Sequence, residues 1–118
     1  MTRSQVIEKA RQRFGPKIRE VSEPAQGRVY LTIDKQDLVA LAEFLFKEMG
    51  ARFLITVGTD RREQNGTFEV LHIFALDEDK SFMSLRMAVD PGDPTLPSIT
   101  PVVPGANWAE RELYDMVG

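Results

Sequence analysis

The sequence has 118 residues, of which 42% are hydrophobic and 28% are charged, with a formal net charge of −3 at pH 7 and no cysteine. This length and composition predict one folded domain with a buried core and exclude wholesale disorder. The missing thiols exclude disulfides, thiolate zinc sites and cysteine-ligated iron–sulfur clusters, and an acidic balance without a basic run argues against nucleic-acid binding.

The first half of the chain predicts a helix, two strands and a second helix. Ser4 is placed to cap the first helix, and a Gly-Pro pair ends it, because proline cannot continue a helix. Extended segments follow at roughly 17–23 and 28–33, where apolar residues alternate. The strongest helical periodicity covers 34–50, where the apolar residues fall on one stripe.

Three strands follow, at 52–58, 67–76 and 81–89. A charged hairpin tip joins the first two, and Asn65-Gly66 supplies positive φ angles there. The order helix–strand–strand–helix–strand–strand–strand predicts an α+β fold, a two-layer sandwich with helices on one face of a mostly antiparallel sheet.

The end of the chain differs in composition from the rest. Five of the seven prolines fall between 91 and 104, which excludes a helix or a central strand there. We expect a core at 1–90, a Pro-rich extended arm at 91–106 and a short C-terminal helix at 107–118, all within one domain. The arm contains enough apolar residues to lie across a surface, of its own domain or of a partner.

The final helix is predicted to begin at Asn107, a favourable N-cap residue, and to end at Gly118. Glu110 stands at the third position of this helix, where its carboxylate can reach back to the backbone N–H of Asn107. A helix this short is marginal in water, since about 12–15 residues are needed even in favourable sequences. Packing must therefore hold it in place.

Three interpretations of the charged residues in this helix stay open. Arg111 and Asp115 can form an i,i+4 surface pair, which makes the cluster a solvated face. Alternatively, Trp108, Arg111, Glu112 and Asp115 share one face whose composition is typical of an interface hot spot. Acid–base catalysis by Glu110, Glu112 or Asp115 is the third, although no nucleophile, phosphate-binding loop or metal set accompanies these carboxylates.

His72 is the single histidine, and it lies in a predicted strand between Leu71 and Ile73. One histidine without cysteines makes no metal site. We expect a histidine of the core or the sheet edge with a hydrogen-bond partner.

Two stretches near the end of the chain carry a family resemblance. P-S-I-T at 97–100, followed by P-G-A-N-W-A-E-R-E-L-Y-D-M-V-G at 104–118, closely resembles the signature of the complex I 30 kDa subunit family. That family supplies the C subunit of bacterial NADH:quinone oxidoreductase. It also includes the homologous subunit or domain of membrane-bound energy-converting NiFe-hydrogenases, formate hydrogenlyase among them. R-F-L-I-T-V-G-T-D-R and F-E-V-L-H-I-F-A-L resemble the family's middle strands.

The resemblance implies a cofactor-free structural and assembly subunit, or domain, in the peripheral arm of a complex I-like NADH dehydrogenase of the respiratory chain. It would dock on the large 49 kDa-type subunit and touch other peripheral-arm subunits. The alternative is an N-terminal domain or subunit of a group 4 NiFe-hydrogenase or formate hydrogenlyase. NADH, quinone, FMN, Fe–S and Ni–Fe centres would lie on partner subunits. The chain itself would lie on the cytoplasmic face of the cell membrane without inserting into it.

The resemblance also assigns residues. As docking and helix-positioning groups, none of them catalytic or ligating a cofactor or metal, it implies Asn107, Trp108, Glu110, Arg111, Glu112, Asp115 and Gly118. Family members continue past the glycine with an apolar segment and an arginine-rich run, so we expect this sequence to be trimmed or to be a domain of a longer chain. A free-standing enzyme that uses the terminal carboxylates, and a homodimer through an exposed sheet edge, are the competing hypotheses.

Overall fold

The structure is a computed structural model that describes residues 1–108, 110 and 111. A 3₁₀ turn at Lys35–Asp37 precedes the second helix, and a π-helical turn at Phe44–Glu48 continues it. The fold class and element order predicted from the sequence are confirmed. The helices and strands are α1 (Arg3–Phe14), β1 (Ile18–Ala25), β2 (Arg28–Ile33), α2 (Leu38–Glu43), β3 (Arg52–Arg61), α3 (Arg62–Asn65), β4 (Thr67–Leu76) and β5 (Ser81–Val89).

The cap of α1 is Thr2, and the prediction of Ser4 was wrong. The Thr2 hydroxyl accepts a hydrogen bond from the backbone N–H of Gln5, and the Gln5 side chain accepts one from the N–H of Thr2. This reciprocal pair needs Glu or Gln three residues after the cap. Thr2 has Gln5 at that spacing, whereas Ser4 has Ile7.

The five strands form one sheet in the order β1-β2-β5-β4-β3. The contact between β2 and β5 is parallel, and the other three are antiparallel. The mostly antiparallel sheet predicted from the sequence is therefore confirmed. Because β2 and β5 are distant in sequence, their pairing joins the β1–β2 hairpin to the later three strands.

The core lies between the helices and one face of the sheet. Inward-facing residues of the three central strands are almost fully buried, and α1 and α2 add buried positions from above. The proline-rich arm belongs to the same core through Ile99, Val103 and Ala106. The sequence left open whether the arm lies on its own domain or on a partner. These three residues pack on its own domain.

The connection between β3 and β4 is helical, whereas the sequence predicted a hairpin tip. α3 forms a single turn there, and Gly66 ends it with a φ of 78°. Asn65 lies inside that helical turn, so the positive φ predicted for the Asn-Gly pair is confined to the glycine, which adopts it without steric cost. In the described part of the chain, no helix combines the length and apolar character needed to cross a bilayer.

Candidate functional site

Four of the seven residues implied as docking groups lie in the described part of the chain: Asn107, Trp108, Glu110 and Arg111. Glu112, Asp115 and Gly118 lie outside the described residues. The candidate site is therefore built from the arm and from the first turn of the C-terminal helix.

The C-terminal helix does not begin with the predicted capping box. A 3₁₀ turn at Pro104–Ala106 leads directly into Asn107, which already has helical dihedral angles, φ −53° and ψ −48°. An N-cap residue normally has extended angles. The carboxylate of Glu110 is bonded to the arm and not to the N–H of Asn107. The capping-box prediction was wrong because a tertiary contact takes both carboxylate oxygens.

Glu110 binds three consecutive residues of the arm. Its Oε1 accepts a hydrogen bond of 2.6 Å from the backbone N–H of Ile99. Its Oε2 accepts bonds of 2.7 Å from the hydroxyl of Ser98 and 3.0 Å from the hydroxyl of Thr100. We call these four residues the Glu110 clamp. Charge-assisted bonds of this kind are among the stronger hydrogen bonds in proteins.

The arm is shaped to present these donors. Pro97 and Pro101 flank the three residues in sequence, and the carbonyl of Ile99 accepts bonds from the N–H groups of Val102 and Val103 at 3.0 and 2.7 Å. This turn points the Ile99 side chain into the core, where it is fully buried. The adjacent hydroxyls and one N–H are left facing the carboxylate. The side chain of Ile99 thus packs into the core, while its backbone N–H and the hydroxyls of Ser98 and Thr100 bond to Glu110.

Burial decides what Glu110 can do chemically. The residue is only 8% exposed, and both carboxylate oxygens already accept bonds from the protein. A general acid or base needs a free oxygen within reach of a substrate. Glu110 is therefore an anchor for the chain, and the catalytic hypothesis has no support from this carboxylate.

A second buried polar group lies near the clamp. His72 is fully buried on β4, opposite Thr56 of β3. Burial lowers the pKa of His72 from its ordinary 6.5 to about 4, and the negative charge of Glu110 partly opposes that shift. At neutral pH the imidazole is uncharged, because desolvation disfavours the imidazolium.

No described residue is the hydrogen-bond partner expected for His72. Neither ring nitrogen of His72 nor the hydroxyl of Thr56 has a partner among the described residues. Unpaired buried polar groups are uncommon and destabilising. In the ranges 1–108 and 110–111, no group of three or more His, Asp or Glu side chains is arranged to hold a metal ion.

Trp108 is the exposed part of the site. Its side chain is 72% exposed, the highest value among the large hydrophobic residues that lie on the described surface. The guanidinium of Arg111 lies 5.8 Å from the centre of the indole ring, within the range of a cation–π contact. The shared face expected for Trp108 and Arg111 is thus present.

Residues 108, 110 and 111 divide into an exposed part and a buried part. Glu110 points inward and ties the helix to the arm, whereas Trp108 and Arg111 point outward. Tryptophan and arginine are among the residue types enriched in protein-binding hot spots. Sequence reasoning missed Ser98, Thr100 and His72 as parts of this region. The sequence signal that could have identified Ser98 and Thr100 was their position on either side of Ile99, between two prolines.

Comparison with known proteins identifies a family and several relatives. A family model described as "Respiratory-chain NADH dehydrogenase, 30 Kd subunit" matches residues 31–118. The chain is 31% identical over 116 residues to the C subunit of the NADH-quinone oxidoreductase of Geotalea uraniireducens, covering 98% of this chain and 70% of that protein. It is 35% identical over 89 residues to formate hydrogenlyase subunit 5 of Escherichia coli, covering 75% of this chain but 16% of that protein.

Several other curated relatives, also C subunits of NADH-quinone oxidoreductases, are longer than this chain, and the matched part covers 46–56% of their length. Two solved structures share the fold. A trypsin-resistant fragment of Nqo5 superposes with a TM-score of 0.76 at 25% identity, covering 98% of this chain and 92% of that one. A chain of the membrane-bound sulfane sulfur reductase, an archaeal respiratory membrane complex, gives 0.80 at 15% identity, covering 95% and 65%.

Proposed function

The chain belongs to the family of the respiratory-chain NADH dehydrogenase 30 Kd subunit, and we propose that within it the chain is a cofactor-free docking subunit or domain. It serves the peripheral arm of an NADH:quinone oxidoreductase and docks on the large, 49 kDa-type subunit. Its role is assembly, and the redox centres lie on its partners. Relatives in the family are subunits of multi-subunit complexes.

The observation that carries this proposal is the exposure of Trp108 on a clamped support. An indole that is 72% exposed gains more from burial against a partner than almost any other side chain. Because the Glu110 clamp fixes the start of the helix to the core, little conformational entropy is lost when a partner binds there. Rigid presentation and large apolar area together favour docking.

A hydrogenase-type complex is the second candidate. The 35% identity to formate hydrogenlyase subunit 5 favours it, and this chain matches only a small part of that longer protein. In such a complex the same docking face would meet a hydrogenase large subunit. In both candidates the chain lies on the cytoplasmic face of a membrane complex, as a peripheral component.

Co-expression of this chain with a candidate large subunit tests the proposal. Trp108→Ala should reduce the amount of large subunit that co-purifies, while the circular dichroism spectrum and melting temperature of the variant stay those of the wild type. Lys9→Ala, at an exposed position of α1, is the control and should co-purify normally. Undiminished co-purification of Trp108→Ala would contradict the proposal. A stable homodimer in light scattering, with no large subunit bound, would favour the sheet-edge hypothesis instead.

A further inference from the structure

The face of the sheet opposite the helices carries an apolar surface that the core does not use. Strand register places Tyr30, Ser84, Ile73 and Ile55 in one row across β2, β5, β4 and β3. Leu71 and Val57 extend this row on one side, and Phe82 extends it on the other. A depression of about 240 Å³ lies over its centre. We call these side chains the open-face row.

A β-bulge enlarges the apolar area at one end of the row. In β3, Phe53 pairs with Phe74 and Ile55 pairs with Ile73, so Leu54 has no partner on β4. As a result two consecutive apolar side chains are exposed, Leu54 at 37% and Ile55 at 46%. Regular alternation would expose only one of them. Bulges commonly redirect a side chain toward a functional surface.

Composition argues against a simple solvated face. An antiparallel sheet with one open face normally alternates apolar residues inward with polar residues outward. Here Ile55, Val57, Phe82 and Leu54 are all exposed, and Ile73 and Leu71 lie between them half-buried. A contiguous exposed apolar patch with a polar rim is typical of a protein interaction surface.

The charges at the rim define what the surface would accept. Arg86 is bonded to Glu20 and Thr32, and Arg52 is bonded to Asp77. Arg28 lines the same depression beside Phe82 and forms no ion pair within residues 1–108, 110 and 111. The surface therefore has an apolar centre and, at Arg28, a guanidinium without a carboxylate partner in the described part of the chain.

The open-face row and the candidate docking site share the edge strand β3. The 3₁₀ turn at Pro104–Ala106 packs against β3, and Trp108 follows it by two residues. Because Ala106 of this turn is buried in the core, the segment that carries Trp108 and the exposed side chains of β3 lie on the two faces of the same sheet edge. A partner bound at Trp108 would have the row within reach.

From this geometry we infer that the open-face row is a second part of the docking surface, covered by an apolar segment of a partner subunit that carries a carboxylate for Arg28. This inference rests on the proposed docking function and extends it from the terminal helix to the sheet. Ile55 lies three strands from Arg28, about 14 Å across the sheet at a strand spacing of about 4.8 Å, and Arg28 is offset by two residues from Tyr30 in the same row as Ile55. With about 3.3 Å per residue along β2, the two residues are about 16 Å apart. The partner segment must place its apolar side chains and its carboxylate at about that separation.

Site-specific photocross-linking in the intact complex tests the inference. p-Benzoylphenylalanine is introduced separately at position 82, at position 57 and at position 108, in the complex as expressed in cells. Position 9 on α1, which is exposed on the helix side, is the negative control. We expect positions 82 and 57 to cross-link to a subunit that co-purifies with the complex, within an apolar segment containing Asp or Glu. Arg28→Glu should lower the position 82 cross-link by about tenfold, since attraction becomes repulsion, and Arg28→Lys should retain most of it.

Each outcome separates the two proposals. Cross-linking at 108 without cross-linking at 82 or 57 would overturn the inference and leave the docking function standing. Absence of cross-links at all three positions would contradict the docking function and the inference together. A product joining two copies of this chain through 82 or 57 would overturn the assignment to a partner subunit. An Arg28→Glu variant that cross-links at 82 as well as the wild type would overturn the assigned carboxylate.

Discussion

The carboxylate of Glu110 accepts a hydrogen bond of 2.6 Å from the backbone N–H of Ile99, eleven residues earlier in the chain. This bond joins the two stretches that carry the family resemblance, P-S-I-T and N-W-A-E-R-E. The two parts of the signature are therefore one physical unit. The first supplies the donors and the buried isoleucine, and the second supplies the acceptor and the exposed tryptophan.

Removing the acceptor tests the clamp. Glu110→Ala should lower the free energy of unfolding by about 1–3 kcal/mol, because it leaves the buried N–H of Ile99 without a partner. Urea denaturation measures the change. Arg111→Ala, one residue away and exposed, should change stability by less than about 0.5 kcal/mol. Glu110→Gln, which keeps one acceptor oxygen, should fall between them, and equal stability of the Ala variants would contradict the clamp.

The buried histidine predicts a pH dependence. Folding lowers the pKa of His72 from 6.5 to about 4, so between those values the unfolded chain binds a proton that the folded chain does not. The contribution of the His72 shift to the free energy of unfolding is fully present above pH 6.5, and it is lost as the pH falls toward 4. The loss is at most about 3.5 kcal/mol, at about 1.4 kcal/mol for each unit of pKa.

His72→Leu is the variant that isolates this effect. Its free energy of unfolding, measured by denaturation at several pH values, should be nearly flat between pH 6.5 and 5.5, where the wild type loses stability. Hydrogen bonds from Arg62 lower the pKa of Asp60 to about 2, and a hydrogen bond from the N-terminal ammonium lowers the pKa of Glu78 from 4.5. Both carboxylates therefore affect stability below this window. A wild-type slope retained in His72→Leu would show that other groups cause it.

Thr56 offers a stabilising substitution. Its buried hydroxyl has no hydrogen-bond partner among the described residues, and valine has the same shape without the polar atom. Thr56→Val should raise the free energy of unfolding by about 0.5–1 kcal/mol, because an unpaired buried polar group is removed. Thr59→Val, the same change at a less buried position of β3, is the matched control. Destabilisation of Thr56→Val by more than the control would mean that the hydroxyl is bonded.

Local patterns were enough to predict most of the fold. Alternation and helical periodicity in the segments that became β2, β4, β5 and α2 depend on neighbours in sequence, and these elements formed as expected. The parallel pairing of β2 with β5 is set by the packing of distant segments, and no local pattern specifies it.

The candidate site was less accessible to sequence reasoning. Glu110 fits a helix-capping spacing, yet its bonds go to Ser98, Ile99 and Thr100 because the arm folds back over the core. A local rule and a tertiary contact competed for one carboxylate, and the contact with three donors prevailed. The exposure of Trp108, by contrast, agrees with the face expected from helical spacing.

The dissociation constant between this chain and the large subunit, measured for wild type and Trp108→Ala, tests the docking claim most directly. A buried hot-spot tryptophan contributes about 2 kcal/mol or more, so the constant should rise about 30-fold or more in the variant. Lys9→Ala should leave it within about twofold of wild type, since isolated surface substitutions have small effects. A Trp108→Ala variant that binds as tightly as wild type would contradict the account.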